Sequence, residues 1–174
     1  MSANLGYQRT RRSGGRKRDP FLPYQEESTA PVPPSSTVVS KATIAHAAAV
    51  AAIEAAVAQA ESMGLPVTVA VCDDSGVLKA FQRMDGAPLV TVQLAQDKAY
   101  TSVGFGLSSD GWYDFIKDDG PLAMGAPAGI DRLVTFGGGF PIKVDGAVVG
   151  GIGVSGGHYT QDMEVARAGL AVLG

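Results

Sequence analysis

Few residues in this chain are equipped for chemistry. It holds two histidines, His46 and His158, and one cysteine, Cys72. These are too few for a multi-histidine zinc or iron centre, or for a thiolate cluster, within a single chain. Haem iron is a different case, because the porphyrin supplies the equatorial nitrogens and the protein adds only one or two axial ligands. Either imidazole is a candidate for that role, with Tyr159, Tyr100 and Met84 as weaker donors. His158 follows Ser155-Gly156-Gly157, a glycine-rich loop from which a side chain reaches a cleft. His46 shares a stripe with Val50, Ile53, Val57 and Ala60. A histidine in that setting is either a ligand or a satisfied residue facing the core or an interface.

A second set is charged. Arg83 and Asp85 close an apolar run, and Lys98 sits within a helical pattern on a face with Leu94, Ala95 and Thr101. A desolvated lysine has a lowered pKa and acts as a base or an anion binder. Lys98 and Asp85 are thus the candidate acid–base residues of a cofactor-free enzyme, or else the two ends of a salt bridge that anchors the helix. If haem is bound, Arg83 or Lys98 can pair its propionates. No Ser/His/Asp or Cys/His arrangement is legible, and Asp73 and Asp74 read as turn formers.

Glycine is the third feature, concentrated at Gly137-Gly138-Gly139, Gly150-Gly151, Gly153 and Gly156-Gly157. A strand with so many glycines is weakened unless something must approach its backbone. That something is a packed helix, a partner subunit, or a flat ligand lying on Gly139 and Gly156. Gly151-Ile152-Gly153-Val154-Ser155-Gly156 also matches the GxGxxG pattern. Here, however, the glycines fall within a strand, whereas a dinucleotide fingerprint needs them between a strand and a helix.

The elements that position these residues follow from periodicity. Ser40 to Met63 is rich in alanine and free of Gly and Pro, with Ser40 as N-cap and Gly64 as stop, which predicts a helix. Val67 to Cys72 alternates bulky Val67, Val69 and Val71 with Thr68, Ala70 and Cys72, a strand with one bulky and one thin face. After the Asp73-Asp74-Ser75-Gly76 turn, Val77 to Arg83 returns as the second strand of a hairpin. Its Val77, Phe81 and Arg83 lie on one side, Leu78 and Ala80 on the other. Thr91 to Phe105 predicts a second helix, followed by a short helical or irregular segment over 110–117. Ile142 to Val144 and Val148 to Val154 flank Asp145-Gly146, a type I′ hairpin signal. A last helix, capped by Thr160, runs to Leu173. Hairpins and helices in blocks predict an α/β (α+β) fold, with a central antiparallel sheet flanked by helices.

Charge divides the chain. Residues 1–39 carry six bases and three acids, whereas residues 40–174 carry eight bases and fourteen acids. The first segment, with Pro31, Pro33 and Pro34, reads as an extended or disordered arm, and the second as the folded domain. The arm is either a solvated extension or a basic segment that docks on an acidic surface, with Tyr7, Phe21, Leu22 and Tyr24 as anchors. Nucleic acid is disfavoured as its target, because no nucleic-acid-binding fold follows. No run of about 18 apolar residues spans a membrane. Arg11-Arg12 is followed by Arg16-Lys17-Arg18-Asp19 rather than the apolar stretch of an export signal. With a single cysteine, the expectation is a cytoplasmic protein.

Val69-Ala70-Val71-Cys72-Asp73-Asp74-Ser75-Gly76 and Phe81-Gln82-Arg83-Met84-Asp85-Gly86-Ala87-Pro88 resemble the first signature of the GlcG/HbpS-like haem-binding family, a domain also fused behind PduO-type adenosyltransferases. Asp97-Lys98-Ala99, Gly138-Gly139-Phe140-Pro141-Ile142, Gly150 to Gly157, Gln161-Asp162 and Ala166 to Leu170 extend the likeness over residues 41–173. The resemblance implies a sheet flanked by helices, homo-oligomers as large as octamers, and in some members haem binding or degradation. It also implies a histidine ligand in or near the first helix, the region of His46, and offers no counterpart to the arm. Three functions compete: a haem binder, a cofactor-free enzyme acting on a small organic acid or carbonyl compound, and a non-catalytic subunit docking on a larger oxidoreductase through its arm.

Overall fold

The structure, a computed structural model, describes residues 38–174, so the expected arm lies outside the described residues except for Val38 and Val39. Five helices and four strands follow in the order α1 (His46–Ser62), β1 (Thr68–Asp73), β2 (Leu78–Arg83), α2 (Val90–Phe105), α3 (Ser109–Ile116), α4 (Gly120–Gly129), β3 (Gly139–Val144), β4 (Ala147–Ser155) and α5 (Tyr159–Ala171). The strands form one antiparallel sheet in the order β2-β1-β4-β3.

Register explains why the sheet has two unlike faces. Val69 pairs with Val154, and Val71 with Ile152, while Ile152 pairs onward with Phe140. These bulky side chains share one face and pack with Ile53, Ala56 and Val165 from α1 and α5 into the main core. The alternate residues form the thin face: Ala70 opposite Gly153, Cys72 opposite Gly151, and Gly139 opposite Gly153. Helix α2 lies on that face. A Cβ on Gly153 would come within 2.5 Å of the Ala99 amide nitrogen, and one on Gly151 within 2.6 Å of the Ala99 carbonyl oxygen. Of the three open readings of the glycine stretch, close helix packing is the one realised on β4.

Several expected details shift. The first helix begins at His46, not Ser40, and its N-cap Ala45 supplies no side-chain bond. The preceding segment is extended, and the Ile44 amide donates to the Val149 carbonyl at 2.8 Å, so pairing with the sheet overrides helical propensity there. The buried stripe of α1 is Ala49, Ala52, Ile53, Ala56 and Ala60, with Val50 and Val57 only half-buried at its flank. Small residues win that face because α5 crosses closely, its Gly169 lying where a Cβ would meet the Ala52 carbonyl at 2.7 Å. His46 is consequently exposed rather than in the core of its own protomer.

A bulge at Lys79 of β2, opposite the Val71–Cys72 step, shifts the β1–β2 register, so Leu78 pairs with Cys72 and joins the thin face with Phe81, which is opposite Ala70. The Asp145-Gly146 turn has φ of 50° and 80°, both positive as type I′ requires. Helix α4 is unexpected, since its Gly120, Gly125 and Pro127 argue against it. Asp119 caps it by accepting from the Leu122 amide at 3.0 Å, and Ala126 packs into a small cluster with Trp112 and Ile116. Among the described residues, no helix is long and apolar enough to cross a membrane.

Candidate functional site

Lys98 projects from α2 into the thin face, where the glycines leave it room. Its side chain is fully buried. The ammonium donates to Asp162 Oδ2 at 2.7 Å and to the Val154 carbonyl at 2.9 Å, and stands 5.1 Å from the centre of the Phe136 ring. A Cβ on Gly138 would come within 2.7 Å of Lys98 Nζ, so the β3 approach must be bare there. Asp162 spends its other oxygen on the Gly157 amide at 3.0 Å. Burial pulls the Lys98 pKa down from the ordinary lysine value, and the Asp162 carboxylate opposes that shift.

This arrangement corrects the expected pairing of Lys98 with Asp85. Asp85 is exposed in the loop after β2, and the partner of Lys98 is Asp162, 64 residues along the chain. Lys98 is sealed from any substrate or propionate in this conformation. It ties α2 to the first turn of α5 and the end of β4.

The other expected site residues are dispersed. Arg83 is exposed, and its Nε and Nη2 both donate to the Ala87 carbonyl, bracing the loop into α2. Gly139 lies against the backbone of Lys98, and a Cβ on Gly156 would come within 2.7 Å of Val67 Cα. Both glycines serve backbone contacts within the chain.

His158, not Thr160, is the N-cap of α5. Its Nδ1 lies 2.9 Å from Thr160 Oγ1 and 3.5 Å from the Thr160 amide, while Gln161 Oε1 accepts from the His158 amide at 3.0 Å, completing a capping box. The ring also stacks on Tyr159, with centroids 4.3 Å apart. His46 is its opposite: an exposed imidazole in the first turn of α1 that no hydrogen bond holds.

Two surface clefts are lined by candidate residues. One, of about 440 Å³, runs between α3 and α5 and is walled by Tyr113, Phe136, Tyr159 and Met163, with Asp110 and Asp114 at its rim. The other, of about 300 Å³, lies between the β1–β2 turn and α2, and contains Cys72, Gly76, Leu78, Tyr100 and Arg132. Burial pushes the Cys72 thiol up to about 11, so it is a neutral, unreactive wall. Arg132 is the residue that sequence reasoning passed over, because its neighbours in the fold come from α2 and no local motif marks it. Among the described residues, no cluster of three or more His, Cys, Asp or Glu side chains could hold a metal ion.

A sheet with α1 and α5 on a bulky face and α2 on a glycine face is the architecture of a small α+β domain found in several solved proteins. The family model described as haem degrading protein HbpS-like matches residues 44–171, and the chain belongs to that family. Streptomyces reticuli HbpS, solved as a double mutant, is 30% identical, with a TM-score of 0.73 over 91% of this chain and 99% of that one. A structure of a PduOC:heme complex is 32% identical, with a TM-score of 0.70 over 74% and 94% of the two chains. Among curated relatives, the Salmonella typhimurium corrinoid adenosyltransferase PduO is 35% identical over 68% of this chain and 35% of its own length. The chain therefore spans about a third of the adenosyltransferases it matches. Protein GlcG of Escherichia coli K12 is 33% identical over 67% of this chain and 84% of its own.

Proposed function

We propose that this protein binds haem and that His46 is the axial ligand. The observation that carries the reading is the contrast between the two imidazoles. As an acceptor in the cap, His158 Nδ1 needs its proton on Nε2, and ligation through that nitrogen would cost the cap. Among the described residues, none hydrogen-bonds to either nitrogen of His46. The family of the chain and the heme complex of its PduOC relative support the same reading.

The residues present fit the group in part. Imidazole is an ordinary haem ligand, and Arg83 keeps one guanidinium nitrogen, Nη1, for a propionate. In this proposal a second copy of the chain supplies the wall for the broad apolar face of haem beside the exposed His46. Haem binding and homo-oligomerisation are coupled in this proposal. When bound, haem supplies redox-active iron; the chain's own part is to ligate it and exclude water. A cytoplasmic setting is proposed with it, supported by the single, free and buried Cys72.

Titrating the purified protein with hemin tests the reading. The expected result is a saturable Soret shift that His46→Ala abolishes. A Soret band that never shifts, or one that His46→Ala leaves unchanged, overturns it.

A second reading rests on the charge asymmetry, six bases against three acids in residues 1–39 and the reverse excess beyond. In it the arm docks the domain on an acidic partner. Deleting residues 1–39 should then abolish co-purification with that partner while the domain stays folded.

A further inference from the structure

Arg132 holds a backbone conformation that side-chain-bearing residues rarely adopt, with φ of 65°. Its surroundings over-determine that conformation. Thr101 Oγ1 donates to the Arg132 carbonyl at 2.9 Å and accepts from the Val134 amide at 3.0 Å, pinning the turn from α2. The guanidinium is pinned as firmly. Its Nε donates to Asp97 Oδ1 at 2.7 Å, its Nη2 to the Gln96 carbonyl at 3.3 Å, and its Cζ lies 4.1 Å from the Tyr100 ring centre. Asp97 is itself steadied by Gln93, whose amide donates to Oδ2 at 3.2 Å.

The Tyr100 ring also lies against Gly76, whose φ is +77° and where a Cβ would come within 2.7 Å of the ring. Gly76, Tyr100 and Arg132 together line a cleft of about 300 Å³. These contacts leave Nη1 and one N–H of Nη2 uncommitted, and among the described residues lining this cleft Arg132 alone is charged. Of the acids near it, Asp97 is already paired with Arg132 itself. Asp73 Oδ1 accepts from the Ser75 and Val77 amides, and Asp74 is paired with Lys41. The rest of the wall sets apolar Cys72, Val77, Leu78 and Ala99 beside Ser75 and Gln96.

We propose that this cleft is a carboxylate-binding site, in which Arg132 takes the carboxylate and the wall beneath it takes a short apolar body. A planar guanidinium with free N–H groups on Nη1 and Nη2 matches a carboxylate, and holding it rigid in advance removes the ordering cost of binding. The carboxylate belongs either to a small free acid or to a haem propionate, and the same Arg132 chemistry serves both.

Calorimetric titration of the haem-free, full-length protein with butyrate and with its neutral analogue butyramide tests the site independently of the haem reading. Butyrate is expected to bind and butyramide not. Arg132→Ala is expected to weaken butyrate binding by roughly tenfold or more, the loss of a charge-assisted pair. Val77→Trp, placed on a turn residue that is 61% exposed, should block the cleft without unfolding the chain. A parallel titration with hemin and hemin dimethyl ester separates the two sources. Silence with butyrate, combined with a preference for hemin over its ester that Arg132→Ala removes, assigns the site to a propionate. If butyrate behaves like butyramide and no Arg132-dependent preference for hemin exists, the proposal is overturned. Retention of butyrate binding by folded Arg132→Ala or Val77→Trp protein overturns it equally.

Discussion

The Lys98 ammonium meets the Asp162 carboxylate at 2.7 Å, with the two side chains 0% and 3% exposed. A pair so thoroughly withdrawn from water is conditional. Each ion is tolerable only while the other is present.

Removing one partner should therefore be far worse than removing both. Lys98→Met or Asp162→Leu alone is expected to cost about 3–5 kcal/mol, because the survivor is a buried, uncompensated charge. The double variant should recover much of that loss. Urea denaturation of the four proteins measures it. Single variants within about 1 kcal/mol of the parent would mean that water reaches the pair, contrary to its burial.

The thin face makes an opposite pair of glycine predictions. In Gly153→Ala the new methyl would stand 2.5 Å from the Ala99 amide nitrogen and closer still to the Ala95 carbonyl oxygen, so α2 must lift off the sheet. A cost of about 1–3 kcal/mol or more is expected, typical of overpacking against backbone that cannot yield. Gly104 sits in the same helix with nothing within 4 Å of its Cβ position. Gly104→Ala should instead stabilise by about 0.4–1 kcal/mol, by restricting the unfolded chain. Thermal melts of the two variants should move in opposite directions.

Much of this fold was legible because local and tertiary preferences coincide. The alternation of Val67 to Cys72 names its bulky and thin faces, and Asp145-Gly146 names its turn. Two failures have a deciding partner far along the chain: Ile44 is drawn out of the first helix by Val149, and Asp162 answers Lys98 from another helix. Leu78 changes face because Lys79, the next residue of its own strand, bulges out of the pairing. Helix α4 escaped notice for a local reason, since Gly and Pro mask a helix held by the Asp119 cap. Arg132 was illegible altogether. Its importance resides in a positive φ and a clamp from α2, neither of which has a sequence signature.

Capping gives His158 a role that can be separated from iron. His158→Ala should destabilise by about 0.5–2 kcal/mol, while His158→Asn, which offers an acceptor of similar reach, should lie close to the parent. If His46 is the axial ligand, His158→Asn should also keep the hemin Soret shift. Chemical denaturation reads the first expectation and absorption spectroscopy the second. A His158→Asn protein that is stable yet blind to hemin would transfer the ligand role to His158.

Cys72 gives the protein an alkaline weakness whose sign is fixed by its burial. The folded state holds the thiol proton up to about 11, against an ordinary value of 9.0, so between these values the folded chain binds more protons than the unfolded one. Stability from this group is fully present below pH 9 and is lost as pH rises toward 11, on the order of 3 kcal/mol in all. Lys98, with its lowered pKa, acts in the opposite sense, being protonated more readily in the unfolded chain. The two contributions are separated by comparing the parent with Cys72→Ala. Denaturation midpoints should fall more steeply for the parent than for Cys72→Ala above pH 9, and the two slopes should agree below it. Equal slopes throughout the alkaline range would show that the thiol ionises in place, and with it that solvent enters the cleft floor beneath Tyr100.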